Sequence, residues 1–213
     1  MRMLWGGASA SSQYEGGFNL FNKGMDTQDC RRYVKRTDNA TTSTRLLTKS
    51  DIERAKNPME GDFFPGRKGS EGLAHIDEDI ELMAELGIDI YRISIAWSRI
   101  FPTGEEENPN EDALSMYERI LKKLRDKGIK IYLSLTHYAL PLALVEKYGG
   151  WKNRALVELY LKYAKVIFER FGEYFDFVVP FNEINTGFFS PFNGLGLLRD
   201  ENISGSGYDL NDI

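Results

Sequence analysis

The sequence predicts an α/β protein of the (β/α)8 TIM-barrel class, and it contains the first four strand–helix units of such a barrel. Two observations favour this fold. Stripes of apolar residues at helical spacing alternate with short runs rich in β-branched and aromatic residues. Glycines close the predicted helices at Gly87, Gly128 and Gly172, and their intervals of roughly forty residues are typical of a repeated strand–helix unit. This alternation indicates parallel strands that are covered by helices.

The four predicted strands cover residues 3–7, 88–95, 129–135 and 177–181. Each of the last three follows an amphipathic helix that ends at a glycine. Asn110 is a residue type that caps helices, and it is expected to start the second of them. The predicted apolar stripes are, in chain order, Ile76, Ile80, Met83 and Leu86; Tyr117, Ile120, Leu121 and Leu124; and Tyr160, Tyr163, Ala164, Ile167, Phe168 and Phe171.

The segment 17–72 lacks this periodicity and is rich in Thr, Asn, Asp, Arg and Lys. It is predicted to be a long loop between the first strand and the first helix. Loops of this length in a compact domain are usually functional or disordered. We therefore interpret residues 1–213 as the N-terminal half of a single barrel in which 17–72 forms the β1–α1 loop.

Doubly wound sheets and (β/α)8 barrels both fit the alternation, and the residues at the strand ends favour the barrel. Gln13 follows the first strand, Arg99 the second, His137 the third and Glu183 the fourth. In a barrel the carboxyl ends of the strands meet at one mouth, where the active sites of such folds are built. No glycine-rich phosphate loop of the dinucleotide-binding type follows the first strand, which weighs against a doubly wound sheet.

Composition excludes several classes of partner. The formal net charge of −5 and the pI of about 5.2 argue against a nucleic-acid or anionic-membrane surface. Cys30 is the single cysteine, and with no secretory signal or long apolar run it indicates a reducing cytoplasm. Two scattered histidines, His75 and His137, argue against a metal site. No cofactor is expected.

Four segments, in this order, resemble motifs of glycoside hydrolase family 1. They are LWGGASASSQYEG at 4–16, YRISIAWSRIFP at 91–102, THY at 136–138 with YGGWKNR at 148–154, and FNE at 181–183. The resemblance spans most of the chain outside residues 17–72. It implies a (β/α)8 barrel that hydrolyses β-glycosides with retention, through a glycosyl-enzyme intermediate.

The residues after the FNE motif point to a subgroup of that family. Most β-glucosidases of the family place Pro directly after the Glu, whereas this chain has Ile184 and Asn185. This form, together with SPFNGLG at 190–196, is similar to bacterial 6-phospho-β-glucosidases, which cleave phosphorylated disaccharides. The resemblance therefore implies a phosphorylated β-glucoside of the cellobiose or aryl-glucoside type as substrate.

The resemblance also implies a role for each matching site residue. Glu183 is the acid that protonates the leaving oxygen and later the base that activates water. Asn182 contacts the sugar 2-hydroxyl, and a neutral amide offers both a donor and an acceptor for this contact. Gln13 and His137 contact the other hydroxyls. Arg92 supports the site by keeping the nucleophilic carboxylate ionised.

Several positions depart from the family pattern. Ala74 stands where a His is common, so His75 beside it is left without a role. Ala139 replaces an acidic residue, and Pro180 replaces a Thr and removes a backbone donor from its strand. Among the tryptophans, Trp5 and Trp151 are interpreted as packing residues, and Trp97 stays open between packing and sugar contact.

The family's nucleophile lies in a Thr-Glu-Asn-Gly type motif, and residues 1–213 contain no such motif. We therefore expect a fragment that is inactive by itself and that associates with itself through the exposed edges of the half-barrel. Three alternatives stay open. The parent could be an unphosphorylated β-glucosidase, a 6-phospho-β-galactosidase, or a non-catalytic truncated sugar-binding half-barrel.

Overall fold

The computed structural model describes residues 2–35, 47–188 and 190–199. Its sheet has four parallel strands in the order β1 (Gly6–Ala8), β2 (Ile90–Ser94), β3 (Lys130–Thr136) and β4 (Phe177–Phe181). Each strand pairs with the next one along the chain, with no reversal of order. A doubly wound sheet reverses its order at a switch point. The observed order is that of the first strands of a (β/α)8 barrel, as predicted.

A helix follows each of the four strands. In chain order they are α1 (Ser11–Tyr14), α2 (Lys49–Lys56), α3 (Pro65–Lys68), α4 (Gly72–Glu85), α5 (Trp97–Ile100), α6 (Glu111–Asp126), α7 (Leu142–Tyr148), α8 (Ala155–Phe171) and α9 (Pro191–Leu195). The long helices α4, α6 and α8 connect successive strands. Their buried faces pack with Ile93 of β2 and Ile131 and Leu133 of β3 in one apolar core.

Helix α6 shows how the sequence specifies these boundaries. The Asn110 side chain accepts a hydrogen bond from the Ala113 N–H at 3.2 Å, which confirms the predicted cap. Gly128 follows the helix with a φ of +74°, a conformation that glycine adopts without steric cost. The four predicted stripe residues of this helix are all buried.

Two other stripes extend too far. Leu86 is 80% exposed and Phe168 is 45% exposed, so these two assignments were wrong. Both residues fit the helical spacing, but they lie at the edge of their apolar stripes, where the helix surface has already turned away from the sheet. The third helix also ends differently, because Gly172 stays right-handed and opens a 3-10 turn, Gly172–Tyr174.

The predicted long loop contains a helix that its composition conceals. Helix α2 begins with a capping box, in which the Asp51 N–H donates to the Thr48 hydroxyl and the Thr48 N–H donates to the Asp51 carboxylate. It buries only Ile52 and Ala55, which is too short an apolar stripe to stand out by periodicity. The Thr-x-x-Asp pattern is the signal that could have revealed it. Residues 36–46 of the loop lie outside the described residues.

The tryptophans divide between core and surface. Trp97 is buried and stacks on Tyr163 with 5.2 Å between ring centroids. Trp151 packs against Trp97 and Phe181, which confirms its interpretation as a packing residue. Trp5 is 69% exposed, so the prediction of a core position was wrong. It lies just before β1, an edge strand whose three residues are all exposed in the described part of the chain.

A buried ion pair joins the first two strand–helix units. Arg99 donates to the Glu15 carboxylate at 2.8 Å, and Tyr117 donates to its other oxygen at 2.6 Å. Arg99 also donates to the backbone oxygens of Gly16 and Gly17. Arg99 was expected to open onto the barrel mouth with the other strand ends. It instead pairs with Glu15 inside the protein, as a buried charge requires.

Candidate active site

Asn182 and Glu183 lie where β4 ends. The Asn182 N–H donates to the Thr136 carbonyl at 3.0 Å, which continues the β3–β4 ladder by one residue. Glu183 then turns into the left-handed region with a φ of +41°, a conformation that costs energy for a residue with a side chain. Its carbonyl accepts hydrogen bonds from the Thr186 N–H at 2.8 Å and hydroxyl at 2.7 Å. This turn leaves the Glu183 side chain exposed.

Arg92 reaches across the sheet to Asn182. One guanidinium nitrogen donates to Asn182 Oδ1 at 2.8 Å, and Nε donates to the Ser134 hydroxyl at 2.7 Å. The amide oxygen of Asn182 is therefore fixed on Arg92, and its NH2 group is left to donate. Arg92 was predicted as a support for the nucleophile, and the sequence alone did not indicate either of these contacts.

His137 lies at the end of β3, in the same region. Its ring meets Tyr138 edge-on at 4.8 Å between centroids, and its Nδ1 is buried with no hydrogen-bond partner among the described residues. Burial lowers the pKa of His137, and the positive charge of Arg92 lowers that pKa further. A neutral imidazole can accept at one nitrogen and donate at the other. This state suits a contact with a sugar hydroxyl.

The lowered pKa of His137 predicts a loss of stability on acidification. The pKa of His137 is ~6.5 in the unfolded chain and lower in the folded protein. Because the unfolded state therefore binds more protons, the free energy of unfolding falls as the pH drops below that value. Urea midpoints at pH 7 and pH 5 measure this. The His137→Asn variant is expected to lose less stability over that interval than the wild type. Asp29 contributes a gain in stability over the same interval, since burial beside Asp26 raises its pKa to about 6.

The Asp29 contribution is the same in both proteins and cancels in the comparison. An equal pH dependence in His137→Asn and in the wild type would contradict the prediction.

Gln13 is not joined to this group. It is exposed on α1, and within the described ranges its side-chain amide makes no hydrogen bond. Its carbonyl accepts from the Ser70 N–H at 3.1 Å. Helix α1 is itself anchored to β2, because the Ser11 N–H donates to the Ser94 hydroxyl at 2.8 Å. The sugar contact of Gln13 therefore stays a prediction.

Tyr138 is a site residue that sequence reasoning did not single out. Its hydroxyl donates to the Glu183 carboxylate, and its backbone is left-handed with a φ of +67°. Burial and the contact with Glu183 raise the pKa of Tyr138 to about 12, so the phenol keeps its proton at neutral pH. The available signal was its place between two noted residues, His137 and Ala139, in the strand-end motif.

Pro180 interrupts the ladder just before the site. The β3–β4 register passes from Ser134–Val179 to Thr136–Phe181 without a Leu135–Pro180 pair, as expected for a residue that lacks an N–H. The Pro180 carbonyl compensates, since it accepts from the Thr136 hydroxyl and from the Tyr160 hydroxyl, each at 2.9 Å. The strand is thus held in place on both sides of the missing bond.

A cleft of about 340 Å³, counted with the solvent at its mouth, adjoins these residues. Its lining includes Thr136, Tyr138, Trp151, Phe181, Asn182 and Ile184.

Within residues 2–35, 47–188 and 190–199, no three His, Cys, Asp or Glu side chains come together as metal ligands. His75 lies apart and exposed on α4, beside Glu78. The described helices include none with the length and apolar character needed to cross a bilayer.

Comparison with known proteins extends this picture. The profile described as Glycosyl hydrolase family 1 matches residues 1–197. The 6-phospho-beta-glucosidase AscB of Escherichia coli (strain K12) is 37% identical over 198 residues, which cover 93% of this chain and 40% of the relative. The aryl-phospho-beta-D-glucosidase BglH of Bacillus subtilis (strain 168) is 39% identical over 200 residues, covering 93% of this chain and 39% of the relative.

Solved structures agree with the fold. The beta-glucosidase of Thermotoga maritima in complex with castanospermine superposes with a TM-score of 0.66 at 32% identity, over 85% of this chain and 36% of that one. The chain thus spans about 40% of the length of the curated relatives described above. Sequence profile, relatives and strand order lead to one conclusion: the chain belongs to glycosyl hydrolase family 1.

Proposed function

We propose that the protein containing this chain is a retaining β-glycosidase that hydrolyses 6-phospho-β-glucosides, with Glu183 as its acid and base. The observation that carries this proposal is the arrangement at the end of β4. Glu183 is exposed and turned out of the strand, and the neighbouring Asn182 is oriented by Arg92. A carboxyl group beside an oriented amide is what glycoside hydrolysis needs on one side of the bond to be cleaved.

The reaction has two steps. In the first, the Glu183 carboxyl gives its proton to the glycosidic oxygen as the bond from C1 to that oxygen breaks, and a second carboxylate forms an ester to C1. In the second, Glu183 takes a proton from water, the water oxygen bonds to C1, and the ester bond breaks. Retaining enzymes hold the two carboxyl groups ~5–5.5 Å apart. Residues 1–213 contain no Thr-Glu-Asn-Gly type motif, so we assign the second carboxylate to chain outside them.

The other site residues would act on the sugar. The NH2 group of Asn182 would donate to the 2-hydroxyl, a contact that strengthens as positive charge develops on the ring. The neutral imidazole of His137 would take a second hydroxyl, and Gln13 a third. Arg92 would hold Asn182 in place and keep the nearby nucleophile ionised.

The substrate class rests on two supports. Relatives at 37% and 39% identity are named for 6-phospho-beta-glucosidase and aryl-phospho-beta-D-glucosidase activity. Ile184 and Asn185 resemble the form of the motif in that subgroup.

A phosphosugar substrate also suits a cytoplasmic enzyme, in which a lone and buried Cys30 stays reduced. A net charge of −5 does not favour nucleic-acid or membrane partners.

A pair of substrates tests the proposal. The intact protein is expected to cleave an aryl 6-phospho-β-glucoside with a kcat/KM at least about 100-fold above that for the same glucoside without phosphate, because a phosphate gains charge-assisted hydrogen bonds. The aryl 6-phospho-β-galactoside is the control for the sugar. Equal rates with and without phosphate would instead identify a plain β-glucosidase, and a preference for the galactoside would identify a 6-phospho-β-galactosidase.

A further inference from the structure

The Glu183 side chain is exposed, and an exposed Glu ordinarily moves among several rotamers. Here its Oε2 accepts a hydrogen bond from the Tyr138 hydroxyl. Both residues adopt left-handed backbone conformations, with φ of +67° at Tyr138 and +41° at Glu183. Two such conformations in contacting residues cost free energy, and conformations of this kind persist where the surroundings hold them. The contact therefore needs a supporting structure.

Thr27 provides that support for Tyr138. Its buried hydroxyl donates to the Tyr138 carbonyl at 3.1 Å and accepts from the Leu140 N–H at 3.3 Å. The Thr27 N–H also donates to the Leu140 carbonyl at 3.0 Å. Three hydrogen bonds from one residue thus fix the backbone on both sides of Ala139. They explain how Tyr138 keeps its left-handed conformation.

The residue before Thr27 is anchored in turn. Asp26 forms an isolated β-bridge with Pro141. Its buried carboxylate accepts from the Ser98 hydroxyl at 3.1 Å and pairs with Lys23 at 2.9 Å. A buried, paired charge is costly to displace. The segment between α1 and α2 therefore anchors the backbone at the end of β3, where Tyr138 lies.

We propose that Tyr138 is a positioning residue that holds the Glu183 carboxyl for proton transfer, and that Thr27 fixes Tyr138 for this task. This inference rests on the proposed acid and base role of Glu183. A carboxylic acid carries its proton on one oxygen. With the phenol bonded to Oε2, the transferable proton of Glu183 is left on Oε1, free to reach the glycosidic oxygen. When Glu183 acts as base, the same bond leaves Oε1 to receive the proton of water.

Leaving-group dependence tests this role in the intact protein. The Tyr138→Phe variant is expected to lose about 10–100-fold in kcat/KM on a substrate with a poor leaving group, which needs the acid. On an activated aryl substrate, which leaves without full protonation, the loss is expected to stay below about threefold. Thr27→Val, which keeps the side-chain shape, is expected to act in the same direction with a smaller effect.

Tyr148 offers a matched control. Its hydroxyl also donates to a carboxylate, Glu105 Oε1 at 2.6 Å, but on α7 and outside the proposed site. Tyr148→Phe is expected to keep both rates. An equal loss on both substrates in Tyr138→Phe would show a general structural role, and no loss on the poor leaving group would show that Tyr138 does not position Glu183. Either result overturns the inference.

A spectroscopic measurement separates this inference from the proposed function. In protein labelled with ¹³C at the tyrosine ζ carbon, the Tyr138 resonance, assigned with Tyr138→Phe, is expected to shift in Glu183→Gln and to stay in place in Glu105→Gln. If the wild type cleaves no glycoside while this shift occurs, the function is wrong and the contact stands. If the chemical shift of the Tyr138 resonance is the same in Glu183→Gln as in the wild type, the positioning role is refuted, whatever the activity.

Discussion

Replacing Glu183 by Gln in the intact protein is expected to lower kcat for substrates with poor leaving groups by about 10²–10⁴-fold, the contribution of a positioned general acid. A glutamine keeps the shape of the side chain and cannot transfer the proton. The first step with an activated aryl leaving group needs less protonation, so formation of the glycosyl-enzyme should fall much less. Steady-state rates on a matched pair of substrates, with the burst of released aryl group, measure both effects.

Glu105→Gln is the control for this substitution. Glu105 also accepts a hydrogen bond from a tyrosine hydroxyl, but it is paired with Lys147 on the protein surface. Its variant should therefore keep wild-type rates. Unchanged turnover of poor leaving groups in Glu183→Gln would remove Glu183 from the acid role. Sugar binding without any turnover in the wild type would favour the non-catalytic sugar-binding alternative.

Residues 1–213 expressed alone are expected to show no turnover above background, a loss of about 10⁴-fold or more relative to the intact protein. A retaining mechanism needs both carboxyl groups, so the acid alone cannot form the glycosyl-enzyme intermediate. Removing one member of such a catalytic pair costs most of the rate enhancement of the pair. The same polypeptide is expected to self-associate. Strands β1 and β4 lie at the two edges of the described sheet, and exposed edge strands are templates for pairing.

Turnover assays and light scattering on the two proteins, at equal concentration, check both expectations. The intact protein carrying Glu183→Gln serves as a control for contaminating glycosidases. Robust hydrolysis by the purified 213-residue chain would contradict the assignment of the nucleophile to chain outside it. A monomer at all concentrations would contradict the expected association of the edges.

Predictions from the sequence succeeded where a local pattern carries the information. Asn110 and Gly128 delimit α6 because a capping side chain and a positive φ are properties of single residues. The parallel order of the strands followed from their alternation with amphipathic helices. Local patterns failed at their margins, as at Leu86, and where an element is too short or too polar to show a stripe, as in α2.

The positions of the candidate site residues at strand ends were predicted for the same reason. Asn182, Glu183 and His137 stand at strand ends, and strand ends can be located from the sequence. What these side chains bond to could not be predicted, because each partner lies far away along the chain. Arg92 on β2 reaches Asn182 across β3, and the Tyr138 hydroxyl bonds to Glu183 while the Thr27 hydroxyl bonds to the Tyr138 carbonyl.

The sequence by itself therefore determined the fold class, the motif positions and the residue types at the candidate site. The tertiary structure alone decided how they are used. It placed Glu15 and Arg99 in a buried ion pair instead of at the open mouth, and it exposed Trp5. It also brought Tyr138 onto Glu183. The physical reason is that helix caps and apolar periods are local properties, whereas burial and hydrogen bonding of a polar side chain depend on what distant segments place beside it.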